Sequence, residues 1–85
     1  MEFRRGQIVR SVSGRDKGSF LVVIDVQGKF LLLCDGKHRP LTRPKKKKPM
    51  HAAATKHAVN EECLCTDRRI REVLRCWNDA QGNLK

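Results

Sequence analysis

Positive charge is the chemistry this sequence concentrates. Lys37, Arg39, Arg43, Lys45, Lys46, Lys47 and Lys48 put seven cations into twelve residues. Earlier in the chain, Arg15 and Lys17 stand between Gly14 and Gly18. Glycines at both ends of so short a turn permit positive φ and close backbone approach to an anion, while the two cations supply charge. Phosphate is the ligand that suits this pattern. Lysine offers a point charge and no planar fork, so the run is expected to hold phosphates without reading sequence. His51 follows the run and can add a hydrogen bond to phosphate; His38 and His57 lie in the same basic region. The plainer alternatives are a solvated turn at Gly14 to Gly18, and a solvated tail or localisation signal at the lysines. The run is internal and follows the turn Asp35-Gly36-Lys37, which favours phosphate contact.

Other reactive groups assemble less well. Cys63, Cys65, Cys76 and His57 could supply four zinc ligands, but Cys63-x-Cys65 is not the two-residue spacing usual in structural zinc sites. No metal and no cofactor are therefore expected, and the thiols are read as reduced, with Cys34 in the core at a strand end. No nucleophile, base and orienting acid stand in a recognisable arrangement, and no phosphate-cradling loop opens a helix. The chain reads as a binding protein and not as an enzyme.

The elements that must position the cations come next. From Gly6 to Cys34, three apolar runs (7–12, 19–26 and 29–34) are separated by SGRDKG, Gln27-Gly28 and Asp35-Gly36. Short runs rich in Val, Ile, Leu and Phe, each closed by glycine, predict a β-meander. The second run does not alternate: Phe20 to Ile24 are all apolar, so both faces of that strand must be covered. The C-terminal segment supplies a cover, because Ile70, Val73, Leu74 and Trp77 fall at i, i+3, i+4 and i+7 on one helical stripe. Thr66 or Asp67 can cap that helix and Gly82 can end it. Burial of the stripe predicts a loss of about 3–5 kcal/mol for Trp77→Ala.

Pro40, Pro44 and Pro49 exclude a continuous helix between the β-meander and the C-terminal segment and favour an extended basic arm over 37–49. Residues 51–55 could return as a closing strand. The organisation expected is a β unit over 1–56, a linker over 57–66 and a helix over 67–81 that packs back to make one domain. Phe20, Phe30 and Trp77 are assigned to core faces, which leaves no base-stacking platform; shape and phosphate recognition of folded RNA fits better.

Size and charge agree with a small binding module. Eighty-five residues allow one domain with a modest core, 39% of the residues being hydrophobic. Nineteen Lys and Arg against nine Asp and Glu give a formal net charge of +10, which calls for a polyanionic partner. No apolar run is long enough to span a membrane and MEFRRGQIVR does not resemble a signal peptide, so a cytoplasmic monomer with no membrane partner is expected.

Residues 5–51 resemble the KOW motif. The matching features are Gly6-Gln7-x-Val9, the turn Gly14-Arg15-Asp16-Lys17-Gly18, the apolar strand behind it, Asp35-Gly36-Lys37 and the basic PKKKKPMH. They cover a little over half of the chain. The similarity is to the KOW group of archaeal and eukaryotic large-subunit ribosomal proteins and to small bacterial KOW-domain RNA-binding proteins. It implies a mainly β fold, a small SH3-like barrel with the C-terminal helix packed on it. It also implies contact with structured RNA, often ribosomal RNA or another ribonucleoprotein. KOW modules of transcription elongation factors also contact protein, so the alternative is a protein-interaction module of the transcription or translation machinery. Nothing carries over to 58–85.

Overall fold

The computed structural model describes residues 3–15 and 17–82, so Asp16 of the glycine-bounded turn lies outside the described residues. The architecture is mainly β. Among the described residues, five antiparallel strands form one sheet and a single α-helix follows: β1 Gln7–Ser11, β2 Phe20–Gln27, β3 Phe30–Cys34, β4 Lys45–Lys47, β5 Ala52–Ala58 and α1 Asp67–Gly82. The three apolar runs form the meander expected of them, and the return strand expected near 51–55 is β5.

The strand order is β4-β3-β2-β1-β5. This order forces the sheet to curl. Its two outer strands are consecutive in sequence, joined only by Lys48 and the 3-10 turn Pro49–His51. In a flat sheet they would stand four strand spacings apart, about 19 Å, which even a fully extended link of that length, at most about 18 Å, would not span. Bulges between Val23 and Asp25 in the β2–β3 pairing, and between Gln7 and Val9 in the β1–β5 pairing, supply local bending.

Curling gives the sheet an inside and an outside, and each has its own core. Inside, Val9, Leu21, Val23, Leu31, Leu33 and Ala52 pack together. Outside, Ile8, Val22 and Cys34 pack against Leu64, Ile70 and Leu74, with Phe20, Ile24, Val73 and Trp77 around them. The unbroken apolar run of β2 is thereby accounted for: Leu21 and Val23 face inward while Val22 meets the helix.

Two expectations are revised, and the choice between the two expected helix caps is decided. The segment 57–66 is not a bare linker, since β5 runs to Ala58 and the 3-10 turn Glu61–Leu64 buries Leu64 in the outer core. Thr66 alone caps α1 with its side chain, accepting from the N–H of Arg69 at 3.2 Å. Asp67 instead accepts from the N–H of Leu41 at 2.7 Å, which ties the helix start to the 35–44 loop. The basic segment is no free arm either, because Lys45–Lys47 is an edge strand paired with β3. Lysines on an edge strand also discourage pairing with other chains. No helix among the described residues is long and apolar enough to cross a membrane.

Candidate nucleic-acid interface

The curl carries β4 round to the turn between β1 and β2. One concavity there, about 580 Å³, is lined by Ser13, Gly14, Arg15, Phe30, Arg39, Lys45, Lys46, Lys47, Lys48 and His51. Seven of the ten predicted side chains thus meet in one place from three separate segments. The turn has the expected geometry, with φ +81 at Gly14 and +90 at Gly18. The N–H of Gly18 donates to the Ser11 carbonyl at 2.8 Å, which fixes the turn to the end of β1. On the other side, the Asp35 carboxylate accepts from the N–H groups of Lys37 and Arg39, at 2.8 and 2.7 Å, and shapes the loop that presents Arg39.

The four lysines are not equivalent. Lys47 pairs with Leu31 and, like Leu31, is turned to the inner face, where it is buried. Its ammonium donates to Ser11 Oγ at 2.6 Å and to the Ser13 carbonyl at 2.9 Å, joining β4 to the far end of β1 across the curl. Lys47 is therefore a structural bolt that lines the concavity without offering its charge freely. Replacing all four lysines would not leave the fold untouched. Lys47→Gln is expected to cost about 1–3 kcal/mol, the range for leaving a buried polar group poorly paired. Lys45→Gln, Lys46→Gln and Lys48→Gln should each stay within about 0.5 kcal/mol. Urea titration of the four single variants checks this ranking.

Phe30 also departs from expectation. Among the described residues it joins neither apolar cluster. It is half-buried at the rim of the concavity, with the Lys46 ammonium 4.4 Å from its ring centroid.

Three predicted residues lie elsewhere. Lys17 and Arg43 are exposed and line no described concavity, while Lys37 lines a cleft beside the helix with Arg68, Arg71 and Arg75. These arginines were missed, although their i, i+3, i+7 spacing marks one helical stripe. The stripe is not purely cationic, since Arg68 pairs with Glu72 at 3.2 Å and Arg71 donates to the Gly36 carbonyl at 2.7 Å. A third concavity, lined by Arg15, Ser19, Leu21, Asp35, His38 and Arg39, shares residues with both and joins them into one belt.

The cysteines are dispersed. Among the described residues no three His, Cys, Asp or Glu side chains gather to hold a metal ion. Cys34 is buried, and burial, followed by the charges of Asp67 and Asp35, pushes its thiol up from 9.0 to about 11. The reactive thiolate is thus suppressed at neutral pH. Because the folded value is the higher one, this group's contribution to stability is present below the unfolded value and is lost as pH rises through about 11. Maleimide at neutral pH is expected to label exposed Cys65 and Cys76 in native protein and to reach Cys34 only after denaturation, as peptide mass mapping would show. The chain matches no family model and no curated protein.

Proposed function

We propose that this protein binds structured RNA through phosphate contacts, as a KOW-type module acting by binding and not by catalysis. The observation that carries this reading is the convergence of Arg15, Arg39, Lys45, Lys46, Lys48 and His51 on one concavity. Among the described residues no carboxylate lines it. Bringing like charges together opposes folding, and a polyanion offsets that repulsion on binding. Ribosomal RNA, or an RNA associated with the ribosome, is the target class that the KOW resemblance implies, with the protein acting as a cytoplasmic monomer.

Salt dependence tests the phosphate mode. Each phosphate neutralised contributes about 0.7–0.9 to the slope of log affinity against log salt. The triple variant Lys45→Gln, Lys46→Gln, Lys48→Gln keeps Lys47 and hence the fold. It should flatten the slope by roughly 2–3 units for every RNA sequence alike, and Arg15→Gln should flatten it by about 1. Anisotropy titrations of a folded RNA at several salt concentrations measure it. Unchanged slope and affinity in the triple variant would make the lysines a solvated edge and defeat the reading. Crosslinking in cells with sequencing of the bound RNA would then name the target.

A further inference from the structure

We propose that the basic concavity seats an unpaired nucleotide of the RNA, its base stacked on the Phe30 ring and its phosphates held by Arg15, Lys45 and Lys48. The inference rests on the RNA-binding reading above and adds which part of the RNA enters the site.

The position of Phe30 carries it. In β3, Leu31 and Leu33 are fully buried in the inner core, so strand alternation turns Phe30 to the other face. Among the described residues it is the one apolar side chain lining the basic concavity, which is otherwise made of cations, Ser13, Gly14 and His51. The ring is half-buried and completes neither apolar core. It does present a flat π-face, and that face is within reach of groups from solvent: the ammonium 4.4 Å from its centroid belongs to Lys46, an exposed residue.

A ligand suited to this site must combine a flat face with anionic groups on either side. A nucleotide outside a duplex has both; a base-paired helix keeps its bases stacked inside and offers only phosphates. Exchange at the ring favours the base. An exposed cation over an aromatic ring is worth about 2- to 5-fold in equilibrium. Stacking one base is worth about 5- to 150-fold in affinity. The displaced Lys46 ammonium remains beside the site, where a phosphate can take it up.

The test compares three probes: a short unstructured RNA strand, the same strand in a blunt duplex, and inorganic polyphosphate. Phe30→Leu is expected to weaken the single strand at least 5-fold, by about the stacking of one base, and to leave duplex and polyphosphate affinity unchanged. Phe30→Trp should retain strand affinity, and its added indole fluorescence should be quenched by the strand and by neither other probe. This second variant decides the matter should the leucine variant fail to fold. Unchanged strand affinity in Phe30→Leu, equal loss on all three probes, or quenching of Phe30→Trp that does not distinguish strand from duplex would overturn the stacking site while leaving phosphate binding intact. Wild-type protein that binds neither RNA form would bring down the RNA reading itself.

Discussion

Ile70→Ala in α1 is expected to lower stability by about 2–5 kcal/mol, enough to unfold much of the population. Ile70 is fully buried and packs with Ile8, Val22, Cys34, Leu64 and Leu74, so it sits where the helix meets the outer face of the sheet. The cavity left by truncation cannot collapse easily, because rigid strands line one side of it. A domain of this size lies near the low end of the usual stability range of about 5–15 kcal/mol. Trp77→Ala should cost less than the about 3–5 kcal/mol of a fully buried tryptophan. Its indole is half-buried, edge-on to Phe20 with centroids 5.7 Å apart and tilted against exposed His57 at 4.3 Å. Its Nε1 is buried without an acceptor among the described residues, a cost that removing the ring relieves. Urea denaturation followed by circular dichroism gives the order. Wild-type stability in Ile70→Ala would mean that the helix does not cover the sheet in solution.

Gly36→Ala should be as damaging although it adds only a methyl group. Gly36 is buried with φ +79, a conformation that costs an L-residue about 1–2 kcal/mol. The larger penalty is steric. A Cβ there would overlap the Asp67 carbonyl oxygen and approach Arg71 Cγ at 2.9 Å and the Arg71 backbone nitrogen at 3.1 Å. Backbone atoms of a helix cannot step aside singly, so α1 would have to lift. Lifting it strains the Arg71 donation to the Gly36 carbonyl, the Leu41 donation to Asp67 and the packing of Ile70 together. A total of about 3 kcal/mol or more is expected. Gly18→Ala is the control, because Gly18 has φ +90 but nothing within 4 Å of the added methyl, and it should show the conformational cost alone. Equal losses in the two variants would show that the helix does not rest on Gly36.

Much of the scaffold was legible in local pattern. Short apolar runs closed by glycine marked β1, β2 and β3, since a strand needs only a few residues and a turn announces itself by its chemistry. The unbroken Phe20 to Ile24 run required two covers, and the Ile70 to Trp77 stripe identified one of them, because burial on both faces erases alternation while a helix preserves its own period. Charge density alone pointed to a polyanionic partner, the expectation on which the proposed function rests.

The makeup of the site was decided in three dimensions. Four identical lysines carry no pattern, so only the pairing of Leu31 with Lys47 separates the buried bolt from its exposed neighbours. The run Phe30 to Leu33 is equally uniform, and alternation set by that register sends Leu31 and Leu33 inward and leaves Phe30 among the cations. Arg15 meets Lys45 and Lys48 because the sheet curls, and it curls because two strands consecutive in sequence pair at opposite edges. Composition is blind to both register and curl: adjacent residues of a strand fill opposite faces, a shift of one residue exchanges them, and the choice rests on hydrogen bonds between segments distant in the chain.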